Sequence, residues 1–422
     1  MTNSRRAVFV CCDGLGRDWF GETSTPVLHE LASKGVWCAD HAAVFPSVTR
    51  VSAASIATGC HPGSHGLHGN RMGLIEGGKI AVHDVGNPDF RTQMRRATGR
   101  TLRVPTMAER VAGKGGFIAF SNVSPGAAYF LDPDNHGYVY HRAGSFAPGG
   151  APIEGRAALD VSHDHLGDWA MTERFCAEVL AERRPSIAVL WLADPDHTMH
   201  HVPLGSPGHL DALRHAERCV SAVHETVGRL RERGEDILLM VGSDHGHETI
   251  GHCVDLERWL SDKGAADLVQ QGDISVAGQG TAALLYATDR GRSTLMAMLE
   301  DMRAEPWAAG VITQPGLVER GHAAQGGVEA AINMAREEQT NPFGVDGQRW
   351  VVAEGTKPPA IGCGQHGGWG PNETKPFLII DHPDAGAAVI ERATSLVDIA
   401  PTILGFVGRP ASGVDGTPLV EF

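Results

Sequence analysis

Short unbroken apolar runs recur along the chain, and stretches of helical periodicity separate them. Ala7–Cys11, Gly116–Val123, Ser186–Leu192, the run opening at Ile237 and Pro376–Ile380 have strand length and no polar alternation. Runs of this kind predict strands covered on both faces. Between them, Pro26–Lys34 closed by Gly35, Val104–Gly113, Leu166–Arg184, Pro207–Arg233 and Thr394–Phe406 read as helices. The alternation predicts an α/β fold with a doubly wound, mostly parallel sheet and helices on both faces. From His252 to Gly355 the pattern shifts. Strand-like Thr281–Thr288, Gly310–Thr313 and Trp350–Glu354 and helix-like Ser293–Arg303 predict a small α+β unit. The expectation is a core of 1–252 and 356–422, with 253–355 inserted as a cap overhanging the site.

Composition narrows the function classes. Fifty acidic against 36 basic residues leave a net charge of -14 over 422 residues, which argues against binding nucleic-acid polymers or anionic membranes. An acidic protein still accepts a phosphorylated substrate where bound metal ions reverse the local potential. No apolar run approaches the roughly 20 residues of a membrane span, and the chain enters its first strand almost at once. The eight cysteines are scattered and lack CxxC spacing. Free thiols in a reducing compartment follow, and a cytoplasmic protein is expected.

The ends of the predicted strands carry the chemistry. The run from Ile237 stops at Ser243-Asp244-His245-Gly246-His247, and the first strand stops at Asp13-Gly14-Leu15-Gly16. A carboxylate beside an imidazole suits zinc or manganese. A dinucleotide fingerprint lacks its third glycine, and Asp13 would repel a pyrophosphate. After Leu192, Asp196 and His200 stand at i, i+4 on one face of a turn, the geometry for sharing one ion. Asp194, His197 and His201 compete with them but point elsewhere. Phe45-Pro-Ser-Val-Thr49-Arg50 opens a helix of small residues running to Gly59. Thr49 lies near the positive end of its dipole, as a cap or as a nucleophile toward an anion. The loop Gly59–Asn70 is rich in glycine and histidine for no packing reason, and His366 sits in the glycine-rich Ile361–Gly370. His163-Asp164-His165 reads as capping of the following helix, and Gly113-Lys114-Gly115 is not a phosphate loop.

Taken in order, Asp13, Phe45–Thr49, the loop ending at Asn70, Asp196 with His200, Ser243–His245 and Gly364-Gln-His366-Gly-Gly resemble the alkaline phosphatase superfamily. The closer resemblance is to its nucleotide pyrophosphatase/phosphodiesterase branch, with phosphonoacetate hydrolase a near relative. The resemblance implies two divalent metal ions, zinc first and manganese second. Asp13, Thr49, Asp244 and His245 would surround one ion, and Asp196, His200 and His366 the other. Thr49 would be the nucleophile and Asn70 the phosphoryl-binding amide. Two ions about 4 Å apart serve nucleophile, equatorial charge and leaving group together, and Thr49 has no general base nearby in sequence.

Departures from the relatives shape the expectation. Paired lysines that bind a carboxylate in phosphonoacetate hydrolases are missing from Phe117–Val123; Lys114 precedes that strand, and Arg142 is the substitute from a loop. Cys60-His-Pro-Gly-Ser64 lacks the arginine of a sulfatase motif. The expected protein is a two-metal phosphodiesterase acting through phospho-Thr49 on a small phosphorylated substrate, with a homodimer left open. Hydrolysis of a small phosphonate is the alternative, and an inactive metal-binding scaffold the remote one. Arg50, about 100° round the helix from Thr49, is expected to bind structure rather than phosphate.

Overall fold

The computed structural model describes residues 5–113, 115–323, 325–353 and 359–422. Lys114, the end of the expected strand at Glu354 and the expected 355/356 boundary lie outside the described residues. A ten-stranded sheet runs Ala388–Ser395, Val36–Ala42, Leu378–Asp381, Ile237–Gly242, Arg6–Cys12, Ile187–Leu192, Phe117–Ser121, Tyr138–His141, Ser145–Phe146, Pro152–Ile153. The five strands from Ile237–Gly242 to Tyr138–His141 are parallel. Leu378–Asp381 runs antiparallel to both neighbours. The fold is the α/β arrangement expected, with a mixed sheet margin.

The unbroken apolar runs follow from burial on two faces. Along Arg6–Cys12, Ala7, Phe9 and Cys11 pack with Val51, Ile56 and Ile403, whereas Val8, Val10 and Cys12 pack with Val220, Val223 and Val227. Helices Thr49–Thr58 and Ile399–Phe406 thus cover one face, and Pro207–Glu232 the other. Each fully buried Val, Leu or Phe contributes about 1.5–3 kcal/mol relative to exposure.

Several elements differ from the sequence expectation. Only Met107–Arg110 of the expected Val104–Gly113 helix forms; Thr106 caps it. Gly113, Gly115 and Gly116 at φ 68, 94 and 79 then turn the chain away, a conformation glycine adopts without penalty. The Leu166–Arg184 segment is an α-helix over His165–Arg174 that widens into a π-helix over Phe175–Arg183. Thr394 belongs to the edge strand Ala388–Ser395, and the α-helix begins only at Ile399. The hairpin Arg71–Glu76/Lys79–Asp84, turning on Gly77 and Gly78, carried no alternation strong enough to predict it.

The 253–355 stretch holds a four-stranded antiparallel sheet, Ile274–Gly278, Ala282–Ala287, Val328–Met334, Ala308–Thr313, backed by helix Asp289–Arg303. A second sheet orders Arg336–Thr340, Asp346–Val352, Glu248–Val254 and Gly364–Gln365. Its strand Glu248–Val254 leads directly out of the Asp244 loop. The turn Gln279-Gly280-Thr281 reaches back to the core: Gln279 Oε1 accepts from the Asn70 amide at 2.6 Å, and the Thr281 amide donates to the His366 carbonyl at 3.2 Å. No helix of the described residues is long and apolar enough to cross a membrane.

Candidate active site

The first strand and its parallel neighbour Ile237–Gly242 end side by side, with Cys11 in register with Gly242. The chain beyond each strand supplies an acid, Asp13 from one and Asp244 from the other. Asp13 Oδ2 accepts from Trp191 Nε1 at 3.0 Å, and Asp244 Oδ1 from the Gly14 amide at 3.1 Å. The other oxygens, Asp13 Oδ1 and Asp244 Oδ2, are buried without a hydrogen-bond partner. Both face His245 Nε2, at 3.6 and 3.2 Å. Thr49 Oγ1 lies 3.1 Å from the same nitrogen. Thr49 is the first residue of helix Thr49–Thr58, and no side chain caps that helix. Its hydroxyl is therefore spent on the site and not on the helix end.

A second group stands beside the first. Asp196 opens the short helix Asp196–Met199, and its Oδ1 lies 3.3 Å from His200 Nε2 and 3.5 Å from His366 Nε2. The His245 and His366 rings stack at 3.6 Å between centroids, joining the groups. In all three histidines Nδ1 meets a backbone carbonyl: Gly364 for His200, Gly246 for His245 and Ser47 for His366. That contact places the proton on Nδ1 and turns the Nε2 lone pair inward, as a metal-ligating histidine requires. Ser47 ties the loop before Thr49 to the His366 loop through Gly367 and Gly368.

The electrostatics ask for cations. Burial, followed by the charges of Asp244 and Asp196, raises Asp13 well above the carboxylate range. Burial pushes Asp244 up to about 8, with Asp196 adding to it. Burial lowers His245 to about 3 and takes His366 well below its usual value. Around Asp196, burial opposes ionisation, but His200 and His247 outweigh it and hold the carboxylate well below its usual value. Two converging buried carboxylates, two orphaned oxygens and inward lone pairs fit divalent metal ions. Asp13, Asp244 and His245, with the Thr49 hydroxyl beside them, could hold one ion, and Asp196, His200 and His366 another.

The remaining sequence candidates fall around this centre. Asn70 Oδ1 accepts from the Arg50 amide at 3.2 Å, which leaves its NH₂ for the cavities it lines. Arg50 donates to Ser124 Oγ and the Asn70 carbonyl and pairs with Asp84 at 2.5 Å, a structural engagement as expected. A cavity of about 460 Å³ opens over Asn70, Arg71, His200 and His366, and one of about 180 Å³ lies over Asp13, Thr49 and Asp196. Asp164 does cap its helix, accepting from the Gly167 amide at 2.9 Å. His163, however, stacks near His197 at 4.1 Å, and both line the smaller cavity. Asp194 caps the Asp196 turn through Thr198. His201 Nδ1 is turned to the His197 carbonyl. Arg142 sits close enough to His163 to reinforce the burial that lowers that imidazole to about 4.

His247 is the residue the sequence reading passed over. It stands at Asp196 Oδ1, 2.8 Å away, and could ligate with Asp196, His200 and His366. The Asp-His-Gly-His spacing was its only signal.

The sequence model of the type I phosphodiesterase/nucleotide pyrophosphatase family matches residues 7–311. Among solved structures, the fold resembles murine ectonucleotide pyrophosphatase/phosphodiesterase 5, an inactive variant in complex with AMP, at a TM-score of 0.71 and 15% identity. A second structure of that murine protein gives 0.69, also at 15% identity. Each comparison covers 98% of this chain and 97% of that chain. No curated protein matches by sequence.

Proposed function

Because the chain belongs to the type I phosphodiesterase/nucleotide pyrophosphatase family, and is thus a phosphoric ester hydrolase, we propose that it cleaves phosphodiesters through a covalent phospho-Thr49 intermediate. The two ligand groups would each hold a divalent ion, zinc by the mixture of imidazole and carboxylate donors. Bound there, such ions supply Lewis acidity to the phosphoryl oxygens and to the two exchanging oxygens.

The chain's own groups account for the rest. Thr49 Oγ gives up its proton to solvent and forms the new P–O bond, and the ester oxygen opposite leaves with the electron pair of the broken bond and takes up a proton from solvent. Water then attacks phospho-Thr49, releasing the phosphoryl product and restoring the hydroxyl. Asn70, its Oδ1 already taken by the helix amide, directs N–H to a non-bridging oxygen. A neutral amide matches the single charge of a diester, whereas a dianionic monoester is better met by a cationic side chain. Arg50 is engaged with Asp84 and Ser124, so diesters are expected to exceed monoesters in kcat/KM by about tenfold, some 1.4 kcal/mol. The complex of murine ectonucleotide pyrophosphatase/phosphodiesterase 5 with AMP makes an ester of AMP, with a second group on its phosphate, the first diester to try.

The observation that carries this reading is Thr49 Oγ1, uncapped at a helix N-terminus and 3.1 Å from His245 Nε2. The test is acid quenching during turnover of a nitrophenyl diester, followed by peptide mass analysis. A phosphoryl-ester adduct on Thr49, absent from Thr49→Ala, is expected, and Thr49→Ala should be slower by several orders of magnitude with its metal content intact. Near-normal turnover in Thr49→Ala would reduce the residue to a helix terminus. A panel adding a monoester, a phosphonate monoester and phosphonoacetate separates the substrate classes.

A further inference from the structure

Three imidazoles meet Asp196 and a fourth, His245, stacks on one of them; one of the four is oriented unlike the rest. His200, His245 and His366 each commit Nδ1 to a carbonyl and turn a lone pair inward. His247 has no partner at Nδ1 and meets the Asp196 carboxylate with Nε2. A carboxylate can only accept, so Nε2 carries the proton. Distance separates the roles as well. Two atoms ligating one tetrahedral zinc at about 2.0–2.1 Å lie roughly 3.3 Å apart. His200 and His366 match that edge at 3.3 and 3.5 Å from Asp196 Oδ1. His247, at 2.8 Å, is at hydrogen-bond distance instead.

We propose that His247 is a positioning residue which donates Nε2–H to Asp196 and holds that carboxylate toward His200 and His366, without itself entering the ligand set. The ring's seat is built for it. A Cβ on Gly14 would come within 2.8 Å of His247 Nε2, and one on Gly364 within 2.7 Å of Nδ1. Both glycines adjoin ligand segments, one next to Asp13 and the other two residues before His366. The imidazole therefore links the Asp13, Asp196 and His366 segments. Three protein ligands leave a coordination position for substrate, which a fourth histidine would fill. The hydrogen bond also draws charge from the carboxylate, which raises the Lewis acidity of an ion held there.

This inference rests on the proposed metal centre, and its test reads metal rather than turnover. Chelator competition would measure both metal equivalents in the wild type, in His247→Leu, which removes the donor, and in His247→Gln, whose amide can still donate. His247→Leu should weaken one equivalent by about 10–100-fold. His247→Gln should stay within a few fold of the wild type. The visible absorption of the cobalt-substituted forms should keep the wild-type coordination number in both. Equal weakening in the two variants with a changed cobalt spectrum would make His247 a ligand. Wild-type affinity in His247→Leu would leave it without a role. Either overturns the proposal. A wild type that holds no metal would instead defeat the underlying metal reading, and this inference with it.

Discussion

The two ligand groups sit beside one another yet are built in opposite ways. Asp13, Asp244 and His245 are sealed, with side chains 1%, 0% and 0% exposed. Strand pairing from Arg6 to Cys11 sets the register of the two strands that lead into them. Asp196 and His200 retain 16% and 29% exposure, and their partner His366 arrives from 166 residues further along the chain than His200. The sealed group joins two carboxylates to one imidazole, so without a cation its charges oppose folding. In the open group histidines surround one carboxylate and offset its burial. Burial and charge imbalance thus belong to the half beside Thr49, and access belongs to the half facing the larger cavity.

The largest effect expected from this contrast is at Asp244. Asp244→Asn should lower activity at least about 10³-fold, some 4 kcal/mol of transition-state stabilisation. The same change should raise the melting temperature of the chelator-treated chain, because it removes one of two opposed carboxylates. A lower melting temperature would show that the sealed group is not under charge strain.

His366→Ala probes the other half. It should lose about one metal equivalent and leave the sealed site loaded, read by metal analysis after dialysis. Two tightly held ions in that variant would break the division into halves.

Smaller effects probe the contact between the Gln279 turn and Asn70. Asn70→Ala should cost about 10²-fold in kcat, the scale of one lost oxyanion donor, with metal content unchanged. Gln279, from the turn before strand Ala282–Ala287, holds the Asn70 amide through Oε1 and the Arg71 carbonyl through Nε2. Gln279→Ala should therefore lower kcat by about tenfold, roughly the worth of one hydrogen bond. An unchanged kcat would mean that Gln279 does not place Asn70.

The smallest effect is in pH. Asp244 folds with its pKa raised to about 8, against about 3.9 unfolded. The native metal-free chain then binds more protons than the unfolded one between those values, so stability falls as pH rises. Burial raises Asp168 and Glu248 to about 7, and both act in the same direction. The buried neutral histidines act oppositely, His41, His65, His209 and His245 at about 3 and His141, His163 and His322 at about 4, but chiefly below their unfolded value near 6.5. From pH 7 to 8 the metal-free melting temperature should therefore fall, and metal should lessen the slope by the share of Asp13 and Asp244, leaving that of Asp168 and Glu248. A rising melting temperature across that window would contradict the assignment.

What was legible in the sequence lay on single elements. The runs ending in Asp13 and Asp244, the i, i+4 pair Asp196 and His200, and Thr49 after Pro46 are local patterns that strand burial or helical geometry reads directly. Elements whose stability comes from pairing or from neighbouring turns escaped. The edge strand Ala388–Ser395 is largely exposed and held by its ladder to Val36–Ala42. The Val104–Gly113 helix yielded to the glycines that follow it.

The tertiary structure alone decided which side chains face one another. His247 against Asp196, Ser47 against the His366 loop and Gln279 against Asn70 join residues 51, 320 and 209 positions apart. No periodicity records such contacts, because each depends on where a whole sheet or turn is carried. Residue chemistry and strand pattern determined that this chain assembles an acid-and-histidine centre at the ends of parallel strands. Packing of the later sheets against that edge determined how the centre is divided, braced and opened, since the hydrogen bonds that orient its side chains form only between segments already brought together.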